Sequence, residues 1–166
     1  MRHGSILPLS LLLLSGCPNP DTRHFTKKKP KNEDLVGTYV PDAKTLRWIR
    51  QAGKYPEVEN SVVLSADGSF QMINMPDCWT DPFGIPKGRF DSGIGEWQSV
   101  RLQEWWDLRL TFRSRKEFAS DPHDSGWVTF VPVVGQTPPY RLWLYVGDPD
   151  GGQRMIFEKK PESPAR

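Results

Sequence analysis

Between Asp107 and Arg113 the chain alternates without a break: Leu108, Leu110 and Phe112 stand between Asp107, Arg109, Thr111 and Arg113. A period of two puts the apolar set on one face of a strand and the charged set on the other, so this segment is half-buried β structure. Similar short runs, punctuated by turn residues, recur along most of the chain. Val62-Val63-Leu64 and Phe70-Gln71-Met72-Ile73 flank Ala66-Asp67-Gly68, and Asp-Gly between apolar runs predicts a hairpin. Arg141–Val146 and Met155–Glu158 flank Gly147-Asp148-Pro149-Asp150-Gly151-Gly152, which predicts another. Further strands are expected at Leu35–Val40, from Gly93 to about Leu102, and from Trp127 to Val133.

One helix interrupts this pattern. Asp42 can cap it, Leu46, Ile49 and Ala52 with Trp48 form its apolar stripe, and Gly53 ends it. Long polar loops are expected at 74–92 and 114–125. The expected fold is therefore mainly β: a single antiparallel meander barrel or sandwich of about seven or eight strands, with one short helix after the first. The chain length of 166 residues suits one such domain, and seven tryptophans supply core volume that a 37% hydrophobic fraction alone would not.

Charge is unevenly placed. Between Pro18 and Lys31 lie five cations (Arg23, Lys27, Lys28, Lys29, Lys31) and one acid, Asp21. From Asn32 onward 19 acidic residues face 16 basic ones. A nucleic-acid partner is not expected, because such proteins concentrate cations on the folded domain. The lysine run either attracts anionic headgroups or serves as a self-repelling, solvated linker.

The first 17 residues read as an export signal, with Arg2 as a positive start and Ile6–Leu14 as a short apolar run. They end in Leu14-Ser15-Gly16-Cys17, which resembles the lipobox of bacterial lipoproteins. The resemblance implies cleavage before Cys17, a diacylglyceryl group on its thiol, and a membrane as partner through that lipid. Pro18, where an aspartate would often signal inner-membrane retention, implies an outer-membrane destination in a Gram-negative source. The expected organisation is a signal peptide at 1–16, a lipidated basic linker at 17–33, a β-rich domain at 34–161 and a disordered tail at 162–166. Gly37-Thr38-Tyr39, the Asp67-Gly68-Ser69-Phe70 hairpin and Gly95-x-Trp97 resemble small lipocalin-like domains of exported bacterial proteins. Lipocalins carry Gly-x-Trp near their first strand, where this chain has Gly37-Thr38-Tyr39.

No constellation for catalysis stands out. His123 lies among Ser120, Asp121, Asp124 and Ser125, a solvated turn by composition rather than a triad, and it cannot alone hold zinc. Asp148 and Asp150 suit a turn, and Gly93-Ile94-Gly95 leads into a strand instead of a phosphate-binding helix. Glu96, Glu104 and Asp107 are carboxylates without a telling spacing. With Cys17 lipidated, Cys78 has no partner for a disulfide and is expected to be a buried, inert thiol. No cofactor or metal is expected.

Most tryptophans are assigned to the core, but Trp105 and Trp106, as strand neighbours, must point to opposite faces. The residues nominated for ligand or partner contact are Trp79, Phe83, Trp105 and Trp106. The expected function is that of a lipid-anchored envelope module binding a small apolar ligand, an envelope component or a protein. A carboxylate-based hydrolase and a toxin-immunity lipoprotein are the alternatives. A ligand-carrying barrel would need an open apolar cavity of roughly 300–1,000 Å³.

Overall fold

The computed structural model describes residues 23–52, 55–81, 83–115 and 126–161. Eight strands run in chain order around a closed barrel: β1 (Gly37–Pro41), β2 (Ser61–Leu64), β3 (Ser69–Pro76), β4 (Phe90–Leu102), β5 (Trp105–Arg115), β6 (Val128–Val134), β7 (Arg141–Tyr145) and β8 (Arg154–Lys159). Every neighbouring pair is antiparallel, and β8 returns to β1 with Tyr39 opposite Lys159 and Pro41 opposite Phe157. Of the two expected architectures, the barrel is the one formed. Closure gives every strand a paired neighbour on both sides.

The alternation in β5 is realised as read. Leu108, Leu110 and Phe112 enter the core, while Arg109 and Arg113 are exposed. The Asp67-Gly68 hairpin forms with Gly68 at φ +83°, and the Asp67 carboxylate accepts from the Ser69 N–H. Asp67 is thereby held below the usual carboxylate range, mainly through its bonds from Ser69. Helix α1 (Asn32–Leu35) precedes β1, and α2 (Ala43–Ala52) follows it. Asp42 caps α2, its Oδ1 accepting from the Thr45 N–H at 2.6 Å. The buried stripe of α2 is Thr45 and Ile49 with Trp48 alongside, whereas Ala52, expected on that stripe, is exposed.

Residues 74–92 are more ordered than their composition suggested. Strand β3 continues to Pro76 past a bulge at Asn74, whose φ is +51°. Asparagine tolerates that conformation, and here Ser92, Glu59 and Asn60 all bond it. On β4, Gly93 and Gly95 face inward beneath aromatic rings. A Cβ at Gly93 would lie 2.6 Å from the Phe112 ring, and one at Gly95 would lie 2.0 Å from the Thr111 carbonyl oxygen. The Gly-x-Gly pair is thus a packing device that lets Phe70 and Phe112 meet edge to face at 4.9 Å.

The strand directions define two ends. One holds the 65–68 and 102–105 turns and α1, with Leu35 and Tyr140 buried there. The Tyr39 hydroxyl donates to the Leu35 carbonyl at that end. The opposite end holds α2 and the 77–89 and 146–153 segments, with Ile49, Tyr55, Met75 and Cys78 inside. Between them Tyr39, Phe70, Trp97, Phe112 and Phe157 fill the lumen.

Candidate functional site

The α2 end carries the most highly organised loop. After β3, a turn of 3-10 helix (Asp77–Trp79) starts it, and the Asp77 side chain is 3% exposed. A buried carboxylate is tolerated only when its lone pairs are used. The Tyr55 hydroxyl donates to Asp77 Oδ1 at 2.5 Å, and the Lys87 and Arg89 N–H groups donate at 3.1 and 3.3 Å. Arg89 Nε also lies 3.6 Å from Oδ2. Four residues on, Asp81 repeats the device on a smaller scale: it accepts from the Phe83 and Ile85 N–H groups and pairs with Lys87 at 2.9 Å. Lys87 is the main cause of its lowered pKa. Gly84 packs so closely on Val146 and Gly147 that a Cβ would approach to 2.9 Å.

The outcome is a loop pinned at both carboxylates and at Gly84, with two apolar side chains aimed into solvent. Phe83 is 81% exposed and Ile85 53%. Trp79, nominated alongside Phe83, goes the other way. It meets Trp127 edge to face at 5.8 Å, and Trp127 stacks toward Phe112 at 4.8 Å, so Trp79 closes the barrel end. Cys78 is fully buried, and burial pushes its thiol up to about 11. That matches an inert thiol.

The other nominated pair sits at the opposite end. Trp105 faces out, where it meets Phe25 at 5.0 Å, and Phe25 meets Trp143 at 5.4 Å. This second apolar cluster, with Val134, lies on the outer wall and is covered by residues 24–26. Phe25 forms a bridge with Val134, Thr26 donates its N–H to Val133, and the Trp106 N–H donates to Thr26. The Thr26 hydroxyl also donates to the Gly135 carbonyl. Residues 23–33 were expected as linker, yet here a strap of that segment is seated on β5, β6 and β7. One signal pointed to it: Phe25 is the only large apolar residue between Cys17 and Leu35. Trp106 is partly exposed, with Lys29 Nζ 5.5 Å from its ring centre. The four nominated aromatics therefore form no single pocket. They divide into Trp79 and Phe83 at one end, Trp105 and Trp106 at the other.

Among the candidate acids, Glu96 pairs with Arg113 on the outer wall and Glu104 is exposed in the β4–β5 turn. Asp107 occupies an outward position on β5 but is only 2% exposed, and its Oδ2 has no hydrogen-bond partner. Burial raises its pKa to about 7. The Asp148 carboxylate accepts from the Asp150 N–H within the turn. Among the described residues no group of three or more His, Cys, Asp or Glu side chains converges as a metal site would. Cys17 and His123 lie outside the described residues.

The cavities found among the described residues open on the surface. One of about 230 Å³ lies between α2 and β8, lined by Thr45, Trp48, Arg154 and Ile156. Another of about 470 Å³ follows the β3 bulge along Gln71, Asn74, Ser92 and Ile94. No protein-family model, curated protein or solved structure matches the chain.

Proposed function

We propose that the chain is a lipid-anchored lipoprotein of the bacterial envelope whose barrel recognises a protein partner through its surface. The Leu14-Ser15-Gly16-Cys17 sequence supports the anchor. The observation that carries the recognition half is the 77–89 loop. Ordering a loop costs entropy, and this loop, pinned by two carboxylates, leaves Phe83 in water, 81% exposed. An apolar side chain held rigidly at a protruding tip is the form an interface hot spot takes, since little further ordering is needed on binding. A lumen filled by Tyr39, Trp97, Phe112 and Phe157 favours this over carriage of a small apolar ligand inside the barrel.

The test uses a photo-crosslinking residue at Ile85 in the envelope-expressed protein, with and without Phe83→Ser. A defined crosslinked partner that disappears in Phe83→Ser, while the melting temperature stays unchanged, is the expected result. Retention of the same crosslink by the variant, or an apolar ligand recovered from the barrel by native mass spectrometry, would defeat the surface reading. The anchor is tested separately: Cys17→Ser is expected to leave the membrane fraction on a high-salt wash, which screens attraction to headgroups.

A further inference from the structure

We infer that the barrel rests on the anionic lipid surface of its anchoring membrane by the end that carries Lys27–Lys31 and the β4–β5 turn. The inference deepens the proposed lipoprotein reading and rests on it for the acyl chain at Cys17. Its first support is that the lysines are carried by the barrel. Phe25 is 3% exposed between Trp105 and Trp143, and Thr26 is fully buried and bonded on both sides. Just beyond, Lys27, Lys28, Lys29 and Lys31 are exposed while Pro30 between them is buried. Lys29 lies over the Trp106 ring. Four cations therefore share a fixed edge at one end of the barrel.

The second support is what stands beside them. The β4–β5 turn places Arg101, exposed, next to Leu102, which is 37% exposed, with Trp106 across the hairpin. Cations beside a partly exposed indole and leucine make the mixture that lies at a headgroup boundary. The acids at this end are Glu33, Asp34, Asp67, Glu104 and Glu158, and Lys159 and Lys160 lie beside the last of these. The balance stays positive although the residues from Asn32 onward are net acidic.

The α2 end offers a rival basic face with fewer cations, Lys44 and Arg47 beside Trp48, since Arg50 there is paired with Glu57. With the lysine edge down, Phe83 points away from the membrane.

Two arms test the orientation. In the first, the lipidated protein carries an environment-sensitive fluorophore at Gln103→Cys or at Gln51→Cys. It is reconstituted into vesicles of phosphatidylglycerol and phosphatidylcholine containing nitroxide-labelled lipid. Cys78 is buried and does not compete for the label. Quenching at position 103 and none at 51 is expected; quenching at 51, or equal quenching at both, overturns the orientation. In the second arm, the Cys17→Ser chain is sedimented with the same vesicles and with phosphatidylcholine alone. Each lysine near an anionic surface is worth about fivefold in partition at low salt. Changing Lys27, Lys28 and Lys29 to Gln should then weaken binding to the anionic vesicles about a hundredfold. Binding that is unchanged, or equal on both vesicle types, overturns the proposal. Absence of acyl mass at Cys17 would overturn the anchoring reading instead, and the second arm, which needs no acyl chain, tells the two failures apart.

Discussion

Asp107 makes the protein less stable as pH rises, and the size of that effect follows from where the residue sits. It occupies an outward position on β5, yet the residue is only 2% exposed and its Oδ2 finds no donor. Burial without a partner penalises the charged form, and it raises the group from 3.8 to about 7. The folded chain therefore holds this proton more tightly than the unfolded chain. The stability it contributes is complete below pH 4 and is lost as pH climbs through 7. Integrating the linkage between pH 5 and pH 8 gives a loss of about 2.5 kcal/mol from this one group. Asp107→Asn cannot ionise, so it lacks that loss, although its amide adds an unpaired donor at a cost of about 1–3 kcal/mol at every pH. The assay is urea unfolding followed by tryptophan fluorescence, for both proteins at both pH values. The wild-type chain should lose about 2.5 kcal/mol more than Asp107→Asn between pH 5 and pH 8. Every other titrating group is common to the two, so equal losses would refute the assignment.

Other consequences of the packing are as direct. Gly95→Ala drives a methyl group into the Thr111 carbonyl and the Phe70 ring, and should cost about 3 kcal/mol or more in urea unfolding. Gly151→Ala, with nothing within 4 Å of its Cβ, should stay within about 0.5 kcal/mol of wild type. Phe25→Ala removes the ring that seats the strap on Trp105 and Trp143 and should cost about 2–3 kcal/mol. The same change should speed tryptic cleavage in the Lys27–Lys29 run, and cleavage at the wild-type rate would mean that Phe25 does not hold the strap.

Local rules carried the reading of the fold where a few neighbouring residues decide the structure. The alternation of Leu108, Leu110 and Phe112, the Asp67-Gly68 turn and the Asp42 cap are all of this kind, and all form as expected. Distant residues decide the rest, and no local pattern encodes them. Asp77 looks like one more loop acid until Tyr55, Lys87 and Arg89 are brought around it. Trp79 and Phe83 are alike in sequence, and only the position of Trp127 turns one inward and leaves the other in water. A tether and a strap differ by a single buried ring, Phe25, whose partners Trp105 and Trp143 lie 80 and 118 positions along the chain. The alternation rule did require Trp105 and Trp106 to part company, and they do: one meets Phe25, the other Lys29.

Attachment to a membrane through Cys17 underlies both the proposed function and the orientation of the barrel. Intact-mass and N-terminal peptide analysis of the protein extracted from its own envelope addresses it most directly. The account requires a chain that begins at Cys17 and carries the mass of acyl groups on that residue. A chain that begins at any other residue, or a Cys17 recovered with a bare thiol, would contradict it.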